Sequence, residues 1–125
     1  MLKEGMTLTI EKIVGANETA KCLCSGAADV FSTPMLIAFM ENASFLLAGK
    51  ELADGESTVG TTVNVAHLKA NAIGDKITCT ATLEKLEGKK LTFNVVVKYG
   101  DEIVGEGTHG RYIINFAKFM SNIKR

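Results

Sequence analysis

The chain has no surplus of charge, no apolar run long enough to cross a bilayer and few cysteines, and each absence removes a class of function. Its 14 Lys and Arg side chains balance 14 Asp and Glu, so no net field draws in nucleic acid or an anionic membrane surface. An anionic ligand must therefore be held by local groups. No stretch approaches the ~20 apolar residues of a membrane span, and the opening Met1-Leu-Lys-Glu-Gly-Met6 lacks a signal-peptide hydrophobic region. A cytoplasmic location is expected. Cys22, Cys24 and Cys79 are odd in number, and the first two stand too close for an ordinary strand-to-strand disulfide. They are expected to be reduced, half-buried strand residues. Both histidines lie far from the C-x-C pair, so the spacing of a zinc site is missing and no metal is expected.

What is there reads as one domain of α+β type spanning residues 1–125, a length that removes roughly two thirds of the unfolded surface from water. Met6 to Val14 alternate loosely and carry Thr and Ile, which predicts a first strand, with Thr19 to Leu23 as its extension past the Gly15-Ala-Asn17 turn. Ser32-Thr33-Pro34 opens a long helix with Thr33 as N-cap and Pro34 at the first helical position, and Gly49 supplies the stop. From Ser57 the period becomes two. Val59, Thr61, Val63, Val65 and His67 share one face, and Gly60, Thr62, Asn64 and Ala66 the other. Ile77 to Leu83, Leu91 to Tyr99 and Ile103 to Ile114 follow, separated by short polar turns, as an antiparallel meander. The tail from Asn115 to Arg125 is short, basic and a candidate helix.

The helix raises the functional question. Leu36, Phe39, Met40, Ala43, Leu46 and Leu47 form one apolar stripe, but the opposite side carries Ile37, Ala38, Phe45 and Ala48, the pattern of a helix covered all round. A partner subunit is the expected cover for this second face. Glu41 lies on it, alone among apolar neighbours. A buried carboxylate without water or a partner costs several kcal/mol or takes up a proton, so the expectation is a sealed carboxyl suited to proton transfer.

Several short segments carry a resemblance: Val30-Phe-Ser-Thr33, Met40-Glu41, Val59-Gly-Thr61 with Ala66-His67, Gly74-Asp75, Leu86-Glu-Gly-Lys89 and Gly107-Thr-His-Gly-Arg111. In these the chain resembles the hot-dog fold thioesterases, and more closely their fluoroacetyl-CoA thioesterase group, over essentially its whole length. The resemblance implies a curved antiparallel sheet wrapped around a long central helix, pairing of two subunits, and an acyl-CoA substrate, and it leaves open whether such pairs assemble into a dimer of dimers. It implies catalytic roles at Thr33, Glu41 and His67 and acyl-CoA contacts at Gly60 and Arg111. No cofactor is implied, since coenzyme A is part of the substrate. The chain departs from the fluoroacetyl enzyme before the helix. There Cys24-Ser-Gly-Ala-Ala-Asp29 replaces the phenylalanines that close over the acyl group, so a general acyl-CoA hydrolase is the activity carried over.

Each residue also has a plainer reading. Glu41 can reach water through a gap or pair with a lysine, capping alone accounts for Thr33, His67 can be a satisfied strand-end residue, Gly60 can mark a bulge, and Arg111 can be a solvated surface charge. Thr33 and Glu41 stand eight residues apart, about 12 Å along a straight helix. Either the threonine lies in a loop that folds back, or one site takes groups from two subunits. A hot-dog hydratase or dehydratase acting on an acyl thioester, and a non-catalytic acyl-CoA binding module, are the competing functions.

Overall fold

A computed structural model describes residues 1–123 of the chain. Its elements run β1 (Thr7–Ile13), α1 (Thr33–Gly49), β2 (Glu56–His67), β3 (Lys76–Glu87), β4 (Lys90–Tyr99), β5 (Glu102–Asn115) and α2 (Phe116–Ser121). The five strands form one antiparallel sheet in the order β1-β3-β4-β5-β2, with α1 packed against it. This is the α+β arrangement that the hot-dog resemblance implies. The meander β3-β4-β5 turns through two-residue loops, each led by a glycine at positive φ: Gly88 at 64° and Gly100 at 59°. Only glycine adopts that conformation without a Cβ penalty.

Strict alternation in β3 and β4 sets the core. Ile77, Cys79, Ala81, Leu83, Leu91, Phe93, Val95 and Val97 are each 0% exposed, and they meet Leu36, Phe39, Met40, Ala43 and Leu47 of α1. A fully buried Phe93 or Leu36 contributes about 1.5–3 kcal/mol by leaving water. Burial pushes the Cys79 thiol up to about 12, so it behaves as a small hydrophobe.

The helix departs from expectation at three points. Its N-cap is Ser32, whose Oγ accepts from Met35 N at 3.3 Å; Thr33 is the first helical residue and its hydroxyl is free for another partner. Gly49 is the last residue of the helix, and Lys50 continues in right-handed geometry, so no left-handed glycine makes the stop. Leu46 is 42% exposed while Ala48 is buried. At ~100° per residue Leu46 falls about 80° off the line through Leu36, whereas Leu47 returns to it.

Thr19 to Leu23 is not a strand. Thr19 makes a lone bridge to Phe31, and the chain then closes on itself through Ala20 N to Val30 O, Lys21 N to Ala28 O and Ser25 N to Ala20 O. Cys22 and Cys24 are exposed in this turn instead of half-buried in a strand, and all three cysteines are free. The tail forms α2, with Asn115 Oδ1 accepting from Lys118 N at 3.0 Å as its cap; the tail's Lys124 and Arg125 lie outside the described residues. Among the described residues no helix is long and apolar enough to cross a membrane.

Candidate active site

The expected site residues gather in two polar clusters along α1. At its start, Thr33 Oγ1 lies 2.8 Å from Nδ1 of His67, the last residue of β2. The threonine is available because the cap is made one residue earlier. Burial holds the His67 pKa below the ordinary imidazole value, which keeps the ring neutral and able to accept a proton. Its Nε2 is shielded and meets no partner among the described residues. The ring borders a cavity of about 190 Å³ with Val30, Phe31, Leu68, Lys69 and Ala70.

The second cluster sits halfway along the helix. Arg111, on β5, is 6% exposed, so it is not a solvated surface charge. Its Nε donates to Thr58 Oγ1 at 2.8 Å and its Nη2 to the Thr58 carbonyl at 2.9 Å. Its Nη1 reaches Glu41 Oε2 at 3.4 Å and His109 Nε2 at 3.2 Å. Four of the five guanidinium hydrogens thus have partners, which fixes the orientation of the fork. The Phe45 ring lies 5.7 Å from its centre. Burial lowers the Arg111 pKa, and the Glu41 charge opposes that shift.

Glu41 corrects the expectation of a sealed carboxyl. Its side chain is 42% exposed in the single chain and faces a guanidinium. It opens on a cavity of about 260 Å³ lined by Ala38, Asn42, Phe45 and Arg111. The imidazole beside it is His109, at 3.8 Å, whereas His67 is engaged at the other cluster.

Gly60 explains how the carboxylate is admitted. A Cβ at this position would stand 2.4 Å from Glu41 Oε2, so an unsubstituted strand residue makes the space. The strand is bulged here: Gly60 pairs with Arg111 and Thr62 with Gly110, leaving Thr61 unpaired. The extra residue inverts the alternation that follows. A regular period of two puts Gly60 and His67 on opposite faces; the bulge turns both toward α1, one under Glu41 and the other against Thr33.

Sequence reasoning places His109 on one strand face with Arg111 and with Gly105 and Gly107, small residues that let a ligand lie close, but gives it no role, and it does not single out Thr58. Position was the available signal: His109 stands two residues before Arg111 on β5 and therefore shares its face. It is 1% exposed, and its Nδ1 lies 2.8 Å from the Thr62 carbonyl. Burial lowers its pKa; the Thr62 carbonyl pulls the other way, the Arg111 charge adds to the lowering, and Glu41 raises it.

Chemically, the first cluster offers a hydroxyl in contact with a neutral base, and the second a carboxylate held by a fixed cation. Along one chain the two are separated by about 12 Å of helix and by the seven residues from Gly60 to His67, roughly 23 Å of strand.

Comparison with known proteins gives one answer. A family model described as "Fluoroacetyl-CoA-specific thioesterase" matches residues 14–117. The fluoroacetyl-CoA thioesterase of Streptantibioticus cattleyicolor is 33% identical over 97 residues, covering 78% of this chain and 70% of that protein. A solved fluoroacetyl-CoA thioesterase superposes with a TM-score of 0.91 at 29% identity, over 97% of this chain and 94% of the other. A thioesterase superfamily member from Thermus thermophilus shares the fold, with a TM-score of 0.88 at 24% identity over 95% and 88% of the two chains.

Proposed function

The chain belongs to the fluoroacetyl-CoA-specific thioesterase family, and from that membership we propose that its two polar clusters are halves of one hydrolytic site completed by a second copy of the chain. The activity is hydrolysis of an acyl-CoA thioester to a free acid and coenzyme A. The observation that carries the two-copy reading is the Thr33–His67 contact at 2.8 Å, which leaves Glu41 a full eight residues along the same helix. Reacting atoms must come within about 3–3.5 Å of the groups that act on them, and one chain does not bring both clusters to one carbonyl.

Two features support a second copy. β2 is an edge strand of 12 residues, and an open edge of that length pairs readily with another strand. The helix face bearing Glu41 also leaves Ala38 and Phe45 exposed, an apolar surface that a symmetric partner would cover.

In this reading His67 of one copy accepts the proton of the attacking water, either directly or through Thr33, whose hydroxyl gives its proton to His67 as it takes one from the water, and Glu41 of the other copy aligns that water. Attack on the thioester carbon forms the C–O bond and breaks the C–S bond. The proton removed from water ends on the departing thiolate. A thiolate leaves readily, so no strong acid has to be built. Gly60 and Arg111 then serve chiefly to seat Glu41, with the remaining Nη2 hydrogen of Arg111 free for the substrate. Selection of a fluorinated acyl group is outside this reading, since Cys24-Ser-Gly-Ala-Ala-Asp29 carries no aromatic side chain. Three free cysteines fit the reducing cytoplasm.

The test is subunit complementation. Glu41→Gln and His67→Ala homodimers are each expected to lose most thiol release from an acyl-CoA panel. When the two are mixed and allowed to exchange subunits, each heterodimer regains one intact site, and about a quarter of native activity returns for a two-fold dimer. No recovery despite demonstrated exchange would place the whole site within one chain. Native activity in both single variants would reject the residues themselves.

A further inference from the structure

We propose that His109 is a positioning residue: anchored through Nδ1–H on the bulge carbonyl of Thr62, it uses its Nε2 lone pair to hold Arg111 Nη1 where that group grips Glu41. The proposal rests on the reading of Glu41 as part of the hydrolytic site.

The proton inventory leaves one arrangement. A carbonyl only accepts, so the 2.8 Å contact with Thr62 O requires hydrogen on His109 Nδ1. A guanidinium only donates, so the 3.2 Å contact with Arg111 requires a bare Nε2. Both hold only for the neutral ring in the Nδ1–H tautomer. Nε2 and Glu41 Oε2, 3.8 Å apart, are then two acceptors bridged by one Nη1 group. Thr58 clamps the opposite edge of the fork, and Gly60 leaves the gap in which the carboxylate rests. The bulge that makes the gap therefore also supplies the carbonyl that sets the tautomer.

The charged groups facing His109 are Glu41 from α1 and Arg111 from its own strand. β2 contributes the Thr62 carbonyl, and β4 places Phe93 opposite it in register. Protonation of Nε2 would remove the acceptor, set a second cation against Arg111 and offer Glu41 a competing partner. The guanidinium would then lose its fixed seat, and the carboxylate its alignment.

The chain has two imidazoles, His67 and His109, so ring 15N NMR of the intact protein reads each directly. The expected spectrum has one ring protonated on Nδ1 with Nε2 bare at neutral pH, and that ring disappears in His109→Gln. Its protonation should add an ionisation to the acid limb of kcat/KM beside the one set by the base His67, so the native profile falls with two ionisations. His109→Gln retains an acceptor near the Nε2 position but cannot take up a proton; it should keep activity to within about threefold and leave a limb of one ionisation, that of His67. His109→Asn keeps the donor to Thr62 and lacks the acceptor; kcat should fall at least ~10-fold with KM within about twofold, as misalignment of a positioned group requires. An Nε2–H tautomer, a charged ring at neutral pH, or an Asn variant with native kcat and native pH profile overturns the proposal. If either variant fails to fold, the native tautomer and the match between its titration and the acid limb decide alone. Full activity in Glu41→Gln would instead sink the reading of Glu41 while leaving the tautomer result standing.

Discussion

Gly60 shows how one missing side chain can admit a carboxylate at little cost to the fold. The atom that an added Cβ would strike is the terminal oxygen of Glu41, the mobile end of a long side chain, so the carboxylate moves while the strand stays. A glycine inside a strand also costs roughly 0.5–1 kcal/mol relative to alanine. Gly60→Ala is therefore expected to leave the thermal midpoint unchanged or slightly raised. Thiol release should fall by ~100-fold, because a displacement of about 1 Å at the reacting groups suffices for a loss of that size. Melting and turnover measured on the same preparation check this; a destabilised but fully active variant would contradict it. The composition of this cluster was only half legible in the sequence. A solitary carboxylate among apolar residues marked Glu41 as unusual, but its partners come from strands far along the chain. Nothing local to Glu41 announces a guanidinium seventy positions away.

The start of α1 separates roles that the sequence merges. Ser32 and Thr33 are both good capping residues, and the choice between them is made by tertiary structure: Ser32 is buried and bonds Met35 N, while Thr33 turns to His67. Ser32→Ala is expected to lower stability by about 1 kcal/mol. Thr33→Ala should stay within about 0.5 kcal/mol of the native protein and lose most of its hydrolysis. Denaturant titrations beside thiol-release assays would separate the two. The strand tells a similar story. Alternation from Ser57 to His67 located β2 correctly but assigned Gly60 and His67 to opposite faces, because a bulge at Thr61 leaves no mark on hydrophobic periodicity. The meander and the long helix were legible because their apolar periods are long and regular. The Thr19–Leu23 segment was misread because its alternation is matched by hydrogen bonds that close locally.

For the whole molecule, the half-buried His67 and the buried His109 shape the response to acid. Both His67 and His109 have pKa values lowered by burial, so below the ordinary imidazole value the unfolded chain binds more protons than the folded one. Stability must then fall as pH drops from about 6.5 through the lower folded values, and it is flat above that window as far as these groups are concerned. Melting temperature recorded from pH 8 to pH 5 should decline most steeply in the acid half, and His109→Gln should decline less. An identical slope in that variant would show that His109 does not contribute. One last consequence follows from the spacing of Thr33–His67 and Glu41 along a single helix. On the two-copy reading competence is bimolecular: the core contacts lie within one chain, yet a solitary copy stays silent until it meets its twin. Output would then rise with the square of abundance at low expression.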